Sequence, residues 1–313
     1  MVKKTLFLLN ILILIACSKE PKPDVYVKNN PNLQHFGFTL IDVGLDDPND
    51  NVSKTNYSDE VYQFSNLADI LVVEPTDNII GRLEEMDELG MKAVLHLHFL
   101  FYEEVGTTSE KSGYRYDLRP DYKERWDLFS STNNLSLNWS LIQAFYIGEE
   151  PFWNGIDYDE LKAACDYLKE TFPGVNVMVI EAYPEVENIQ VPTSVDWLGF
   201  DHYFIKNPES SEILLNEYNT LKSKRSKPEQ KMVLIMDSHF IQFAHGSSGI
   251  AKADMEGIAT QYFSLANNDE DVVAVMGYFW PSGFDAASAI GARDLPDQVK
   301  EEYVRIGKSI TGK

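Results

Sequence analysis

The chain has almost no cysteine: Cys17 and Cys165 are the two in 313 residues. Two thiols build neither a disulfide framework nor a four-thiolate zinc site. Cys165 falls in an apolar helical pattern and reads as a buried, inert thiol. Positive charge is scarce too, with 27 Lys and Arg against 49 Asp and Glu and a net charge of −22. Nucleic acid and anionic membrane surfaces attract cationic proteins, so the balance argues against both as partners. No apolar run reaches the roughly 18 residues of a spanning helix. No glycine-rich phosphate loop follows an apolar strand and no arginine clamp is visible, so nothing calls for a nucleotide or other cofactor. Tandem repeats and low-complexity tracts are missing. A chain of this length with 44% hydrophobic residues is long enough for one large domain with a sizeable core.

What is present begins with an address. Met1-Val-Lys-Lys4 is basic, and residues 5–16 form an apolar run of 12. That is short for a bilayer and fits a signal segment. It ends in Leu14-Ile-Ala-Cys17, which resembles the lipobox of bacterial lipoproteins. The resemblance implies removal of residues 1–16, lipidation of Cys17, and a cell-envelope protein held to its membrane by lipid alone. Removal takes away two lysines and no acid, so the remaining chain is more acidic still. Residues 17–32 are polar and carry Pro21, Pro23 and Pro31, the composition of a tether.

The remainder, residues 33–313, alternates apolar runs with helical periods. Strands are expected at residues 35–43, 70–73, 92–100, 143–147, 175–180, 195–204, 232–236 and 272–279. Helices are expected at 58–67, 78–89, 123–129, 212–222, 253–266 and 296–310. Another follows Asp157-Tyr-Asp-Glu160, which reads as a capping box. Leu161, Ala164, Leu168 and Phe172 mark its apolar face. A polar insertion at about 103–121 reads as a loop, and 182–194 shows no helical period. Eight strands, most followed by a helix, predict a (β/α)8 barrel, a TIM-barrel α/β fold. In that fold chemistry sits at the C-terminal ends of the strands.

Those ends carry acids, imidazoles and aromatics. The fourth strand ends in Glu149-Glu150-Pro151, with Trp153 just beyond. The others offer Asp42, Glu74, His96 and His98, Glu181 and Tyr183, His202 and Tyr203, Asp237 and His239, and Tyr278 and Trp280. Carboxylates among aromatic rings suit carbohydrate, because sugar C–H faces stack on rings while acids bond hydroxyls and protonate glycosidic oxygens.

At this point the sequence resembles the clan of (β/α)8 glycoside hydrolases with an acid/base glutamate ending strand four and a nucleophile ending strand seven. The clan pattern at strand four is Asn-Glu-Pro. Here Glu150 takes the acid/base position and Glu149 stands where the asparagine would be. Asp237 occupies the position of the nucleophilic glutamate. His202-Tyr203 is similar to the pair after strand six, and Trp280 matches a tryptophan after strand eight. The resemblance implies a two-carboxylate glycosidase using Glu150 and Asp237. Glu149, His98, His202, Tyr203, Trp280, Trp153 and Glu181 would line the glycan site. Two alternatives stay open. One is a glycan-binding surface lipoprotein with a degenerate site. The other is a metal-dependent hydrolase on His96 and His98, with a third ligand from Asp237 or His239. The reading preferred here uses no metal.

Overall fold

Residues 23–107 and 111–313 are described in a computed structural model. The expected signal segment, Cys17 and the first part of the tether lie outside the described residues. Ten strands follow in chain order: β1 (His35–Asp42), β2 (Leu67–Leu71), β3 (Lys92–His96), β4 (Tyr102–Gly106) and β5 (Arg115–Leu118), then β6 (Ile142–Glu149), β7 (Asn176–Ala182), β8 (Trp197–Asp201), β9 (Lys231–Asp237) and β10 (Val272–Tyr278). Eight of them close a barrel in the order β1-β10-β9-β8-β7-β6-β3-β2, with every neighbouring pair parallel. The chain is thus the expected (β/α)8 barrel. Its strands are apolar on both faces because both are covered. Leu67, Val94, Ala144, Met178, Trp197, Val233 and Ala274 fill the barrel, while their strand neighbours pack outward against helices.

Several boundaries differ from the sequence pattern. The helix expected at 58–67 stops at Val61, and Leu67 already belongs to β2. Ser65 ties the segment between them to the sheet: its hydroxyl lies 2.8 Å from Phe36 O and 2.7 Å from Leu67 O. The third barrel strand stops at His96, and His98–Phe101 is a helical turn. His96 and His98 therefore share no strand face. The polar insertion is structured: β4 and β5 pair as an antiparallel hairpin. Within the expected tether, Tyr26 N donates to Ser309 Oγ at 2.7 Å, and Asn30 Nδ2 lies 2.9, 2.7 and 2.9 Å from the carbonyls of Ala266, Asp269 and Val272, where the helix Met255–Asn267 leads into β10.

The unit after β6 forms as its pattern requires. Asp157 Oδ1 accepts from Glu160 N at 3.0 Å, and Glu160 Oε2 accepts from Asp157 N at 3.2 Å. Such a cap stabilises a helix by about 1 kcal/mol, here Tyr158–Thr171. Glu160 Oε1 also accepts from Leu118 N at 3.0 Å, which ties the hairpin to this helix. The β7 to β8 connection has only a 3-10 turn, Tyr183–Glu185, in place of a full helix.

Candidate active site

A cavity of about 360 Å³ opens at the C-terminal end of the barrel. That volume is at the small end of the range for small-molecule sites, about 300–1,000 Å³. Its polar wall consists of Asp69 from β2, His96 from β3, Glu149 and Glu150 from the end of β6, and Asp201 from β8. Phe99, Tyr146, Tyr203, Tyr278 and Phe284 supply aromatic surface, and no lysine or arginine lines it.

Two consecutive residues of a strand point to opposite faces, yet Glu149 and Glu150 both reach this cavity. The backbone explains it. The β6–β7 register shifts between Tyr146 and Gly148, and Glu150 takes a left-handed φ of 45°. A non-glycine residue pays about 1–2 kcal/mol for that conformation. The surroundings hold it in place. Glu150 N donates to Ile180 O at 2.8 Å and Asn154 N donates to Glu150 O at 2.8 Å. Glu181, fully buried, accepts from Phe152 N at 2.9 Å, Trp153 N at 3.2 Å and Ala182 N at 3.2 Å. The hairpin braces the other side, where Lys111 Nζ donates to Phe152 O at 2.7 Å and Tyr116 N to Asn154 O at 3.0 Å.

The two carboxyls are driven in opposite directions. Burial would raise Glu149, but His96 Nε2 lies 2.9 Å from its Oε2 and holds the carboxyl down at about 2. His96 is raised in return, its burial outweighed by the Glu149 charge. Glu150 is pushed well above the ordinary range, by burial first, then by the charges of Asp201 and Glu149 and a hydrogen bond with Asp201. Burial raises Asp201 as well, opposed by its bonds to Glu150 and to the Tyr203 hydroxyl at 3.3 Å. The surroundings thus favour the protonated form of Glu150 and the anion of Glu149. Asp69 is raised to about 6 by burial, against the amides of Leu40 and Ile41 at 2.9 and 2.8 Å.

Of the residues singled out in the sequence, Glu149, Glu150, Tyr203, His96 and Tyr278 meet in this cavity. The others do not line it. Glu181 is spent on the backbone of the acid loop, where burial lifts it to about 8 despite three amide donors. Trp153 contributes its amide to that staple. His98 is buried among Phe99, Tyr102 and Tyr116, and burial lowers it to about 4. Its place on the helical turn after β3 turns it away from His96's role. His202 faces outward and bonds Glu217. Trp280 is 5% exposed and packs on Phe38 at 4.7 Å, its Nε1 donating to Glu60 at 2.8 Å. Glu74 is exposed and pairs with Arg125, and Asp42 pairs with Arg82.

Asp237 is the largest departure. It is 1% exposed and absent from the cavity wall. Its Oδ2 accepts from Phe204 N at 2.8 Å, and His245 Nε2 lies 3.1 Å from Oδ1. Asp237, His239 and His245 bring three ligand atoms within 4.8 Å of one another, the one such group among the described residues. As built, it is a hydrogen-bond network. Ile241 N donates to His245 Nδ1 at 2.9 Å, so the ring proton sits on Nε2 and points at Asp237. A metal ion on Nε2 would have to displace that proton. His239 Nδ1 is 3.0 Å from the Tyr278 carbonyl.

Sequence reasoning passed over Asp69, Tyr146 and Asp201. Asp201 had a usable signal. It lies two residues before Tyr203, so a strand puts both on one face. Asp69 is the single charge inside Leu67–Leu71.

No protein-family model matches the chain, and no curated protein does. Solved structures do. A glucosidase from Croceicoccus marinus superposes with a TM-score of 0.59 at 12% identity, over 92% of this chain and 69% of that one. A GH113 β-1,4-mannanase gives 0.57 at 11%, over 87% and 99%. Xylanase 10B from Thermotoga maritima gives 0.51 at 11%, over 92% and 100%. At these identities the likeness is one of fold: the chain has a barrel that these glycoside hydrolases also use.

Proposed function

We propose that this chain hydrolyses an extracellular glycan, with Glu150 as general acid and Glu149 as the ionised carboxylate beside the sugar. The observation that carries the reading is geometric: two adjacent carboxyls share one cavity, Glu149 2.9 Å from His96 and Glu150 beside Asp201, so that the surroundings favour an anion at the first and a proton on the second. Environments that push a pair apart assign the acid and the anion. The barrel shared with a mannanase, a xylanase and a glucosidase supports it. In the reaction Glu150 gives its proton to the glycosidic oxygen as the C–O bond breaks. Positive charge develops at the anomeric carbon and is stabilised by Glu149. Water then adds to that carbon and returns a proton to Glu150. Asp237 has no part in this scheme, because its oxygens are enclosed.

Glu150→Gln keeps the shape and removes the proton. Turnover of glycosides with poor leaving groups should fall about 10²-fold or more. Dinitrophenyl glycosides, whose leaving group needs no proton, should lose far less. Equal losses on both would remove the acid role. The enclosure of Asp237 favours a second reading, a glycan-binding protein without turnover. Wild-type protein that binds glycan and cleaves neither class of substrate would establish it.

The same proposal places the protein in the cell envelope, anchored by a lipid on Cys17, with the lipobox as its support. Cys17→Ser should shift the protein from the membrane fraction to the soluble one. Continued detergent-dependent membrane association of that variant would overturn the anchor.

A further inference from the structure

At the C-terminal end of β7, Tyr183 stands on a ring. It opens the 3-10 turn after β7, and its side chain lies flat on His202, with ring centroids 3.8 Å apart and planes 8° apart. One face of the tyrosine is covered by that stack. The residue is still 44% exposed, so the rest of the ring is open to solvent.

The parts beneath it are fixed. Glu217 Oε2, from the helix Glu212–Ser223, lies 2.5 Å from His202 Nδ1 and sets the plane of the imidazole. Tyr183 is held from both sides in the chain. Glu181 is bonded to three amides. Glu185 is buried, accepts from Asn188 Nδ2 at 3.0 Å and pairs with Lys111 at 3.2 Å. Pro184 restricts the residue between them. A ring held this way loses little freedom when something lands on it, which is the condition for strong stacking.

Its position connects it to the cavity. His202 is the chain neighbour of Asp201 and Tyr203, which both line the cavity wall. The stack therefore joins the ends of β7 and β8 on the same rim of the barrel as the acid site, with His202 one residue along the chain from two of the cavity's lining residues. No lysine or arginine lines the cavity to accept an anionic sugar, and its one histidine, His96, is engaged by the Glu149 carboxylate.

We propose that the exposed face of Tyr183 is a sugar-binding platform, taking the C–H face of an uncharged pyranose in the part of the glycan that extends beyond the cavity. This rests on the glycan reading above. It adds that the substrate is a chain of several neutral residues lying across the β7–β8 rim.

The test is binding, measured by titration calorimetry on the full folded domain with mannohexaose, xylohexaose, cellohexaose and laminarihexaose as probes. For the hexaose that binds, Tyr183→Ala should weaken affinity about tenfold, the scale of one good ring stack. Tyr183→Phe, which keeps the ring, should bind within about twofold of wild type. Thermal unfolding of both variants checks that the fold is intact. Wild-type affinity in Tyr183→Ala would overturn the platform and leave the glycan reading standing. An equal loss in Tyr183→Phe would also overturn it, because the hydroxyl and not the ring would then be the contact. A wild-type protein that binds none of the four would overturn both.

Discussion

The ends of β6 and β9 carry acids at corresponding points of one barrel, and the fold treats them in opposite ways. At the end of β6, a left-handed Glu150 breaks the strand's alternation and delivers two carboxyls to a cavity. One is paired to His96 and held low; the other is crowded by Asp201 and pushed up, toward its protonated form. At the end of β9, Asp237 is closed over by Phe204, Phe240 and Phe279 packed around His239 and His245, and its oxygens are bonded to groups that never leave. An acid at a strand end is thus only a candidate. Its role follows from whether its lone pairs are left open to a ligand.

That contrast can be broken by matched substitutions. The largest effect belongs to Glu150→Gln, where the loss should appear in turnover on poor leaving groups, about 10²-fold or more, with unfolding little changed. Asp237→Asn should do the reverse. Its amide must present a donor to Phe204 N or to His245, at a cost of about 1–3 kcal/mol. Denaturant unfolding should show that loss, while turnover per folded molecule is kept. A large drop in turnover without a stability change would return Asp237 to the chemistry.

Asp201→Asn sharpens the picture with a smaller effect. Glu150 works only while protonated, so activity is present below its pKa and lost as pH rises through it. The charge of Asp201 helps hold that pKa up. Removing the charge lowers it, and the alkaline limb of kcat/KM should move to lower pH. An unmoved limb would show that the group titrating there is not Glu150. Smallest is the effect of removing the Tyr183 ring, read as affinity for longer chains.

Much of the barrel was legible before any coordinates. Strands buried on both faces read as continuous apolar runs, and the runs at 232–236 and 272–279 fall on β9 and β10 with little error. The run beginning at Lys92 misled, because His96-Leu-His-Phe-Leu continues a strand-like alternation. The chain instead ends its ladder there, with Leu97 N donating to Tyr146 O at 2.8 Å, and turns into a helix. Over four residues the two periods cannot be told apart. Trp280 was misplaced for a related reason: a tryptophan at a strand end fits a sugar platform and a hydrophobic wedge equally well, and its packing on Phe38 and bond to Glu60 decide for the wedge.

The sequence by itself determined the eightfold alternation of strand and helix, the acidity, and the Glu149-Glu150 pair at the mouth of the fourth barrel strand. Those follow from local pattern, since burial on two faces and a proline after two acids leave marks along the chain. Only the tertiary structure decided which acids share a space. Asp201 approaches Glu150 because β8 and β6 flank β7 in the barrel, and Glu149 meets His96 because β3 and β6 are neighbours across the hairpin. Protonation depends on charges a few ångströms away and on the water excluded between them, and neither distance nor exclusion is written in the order of the residues.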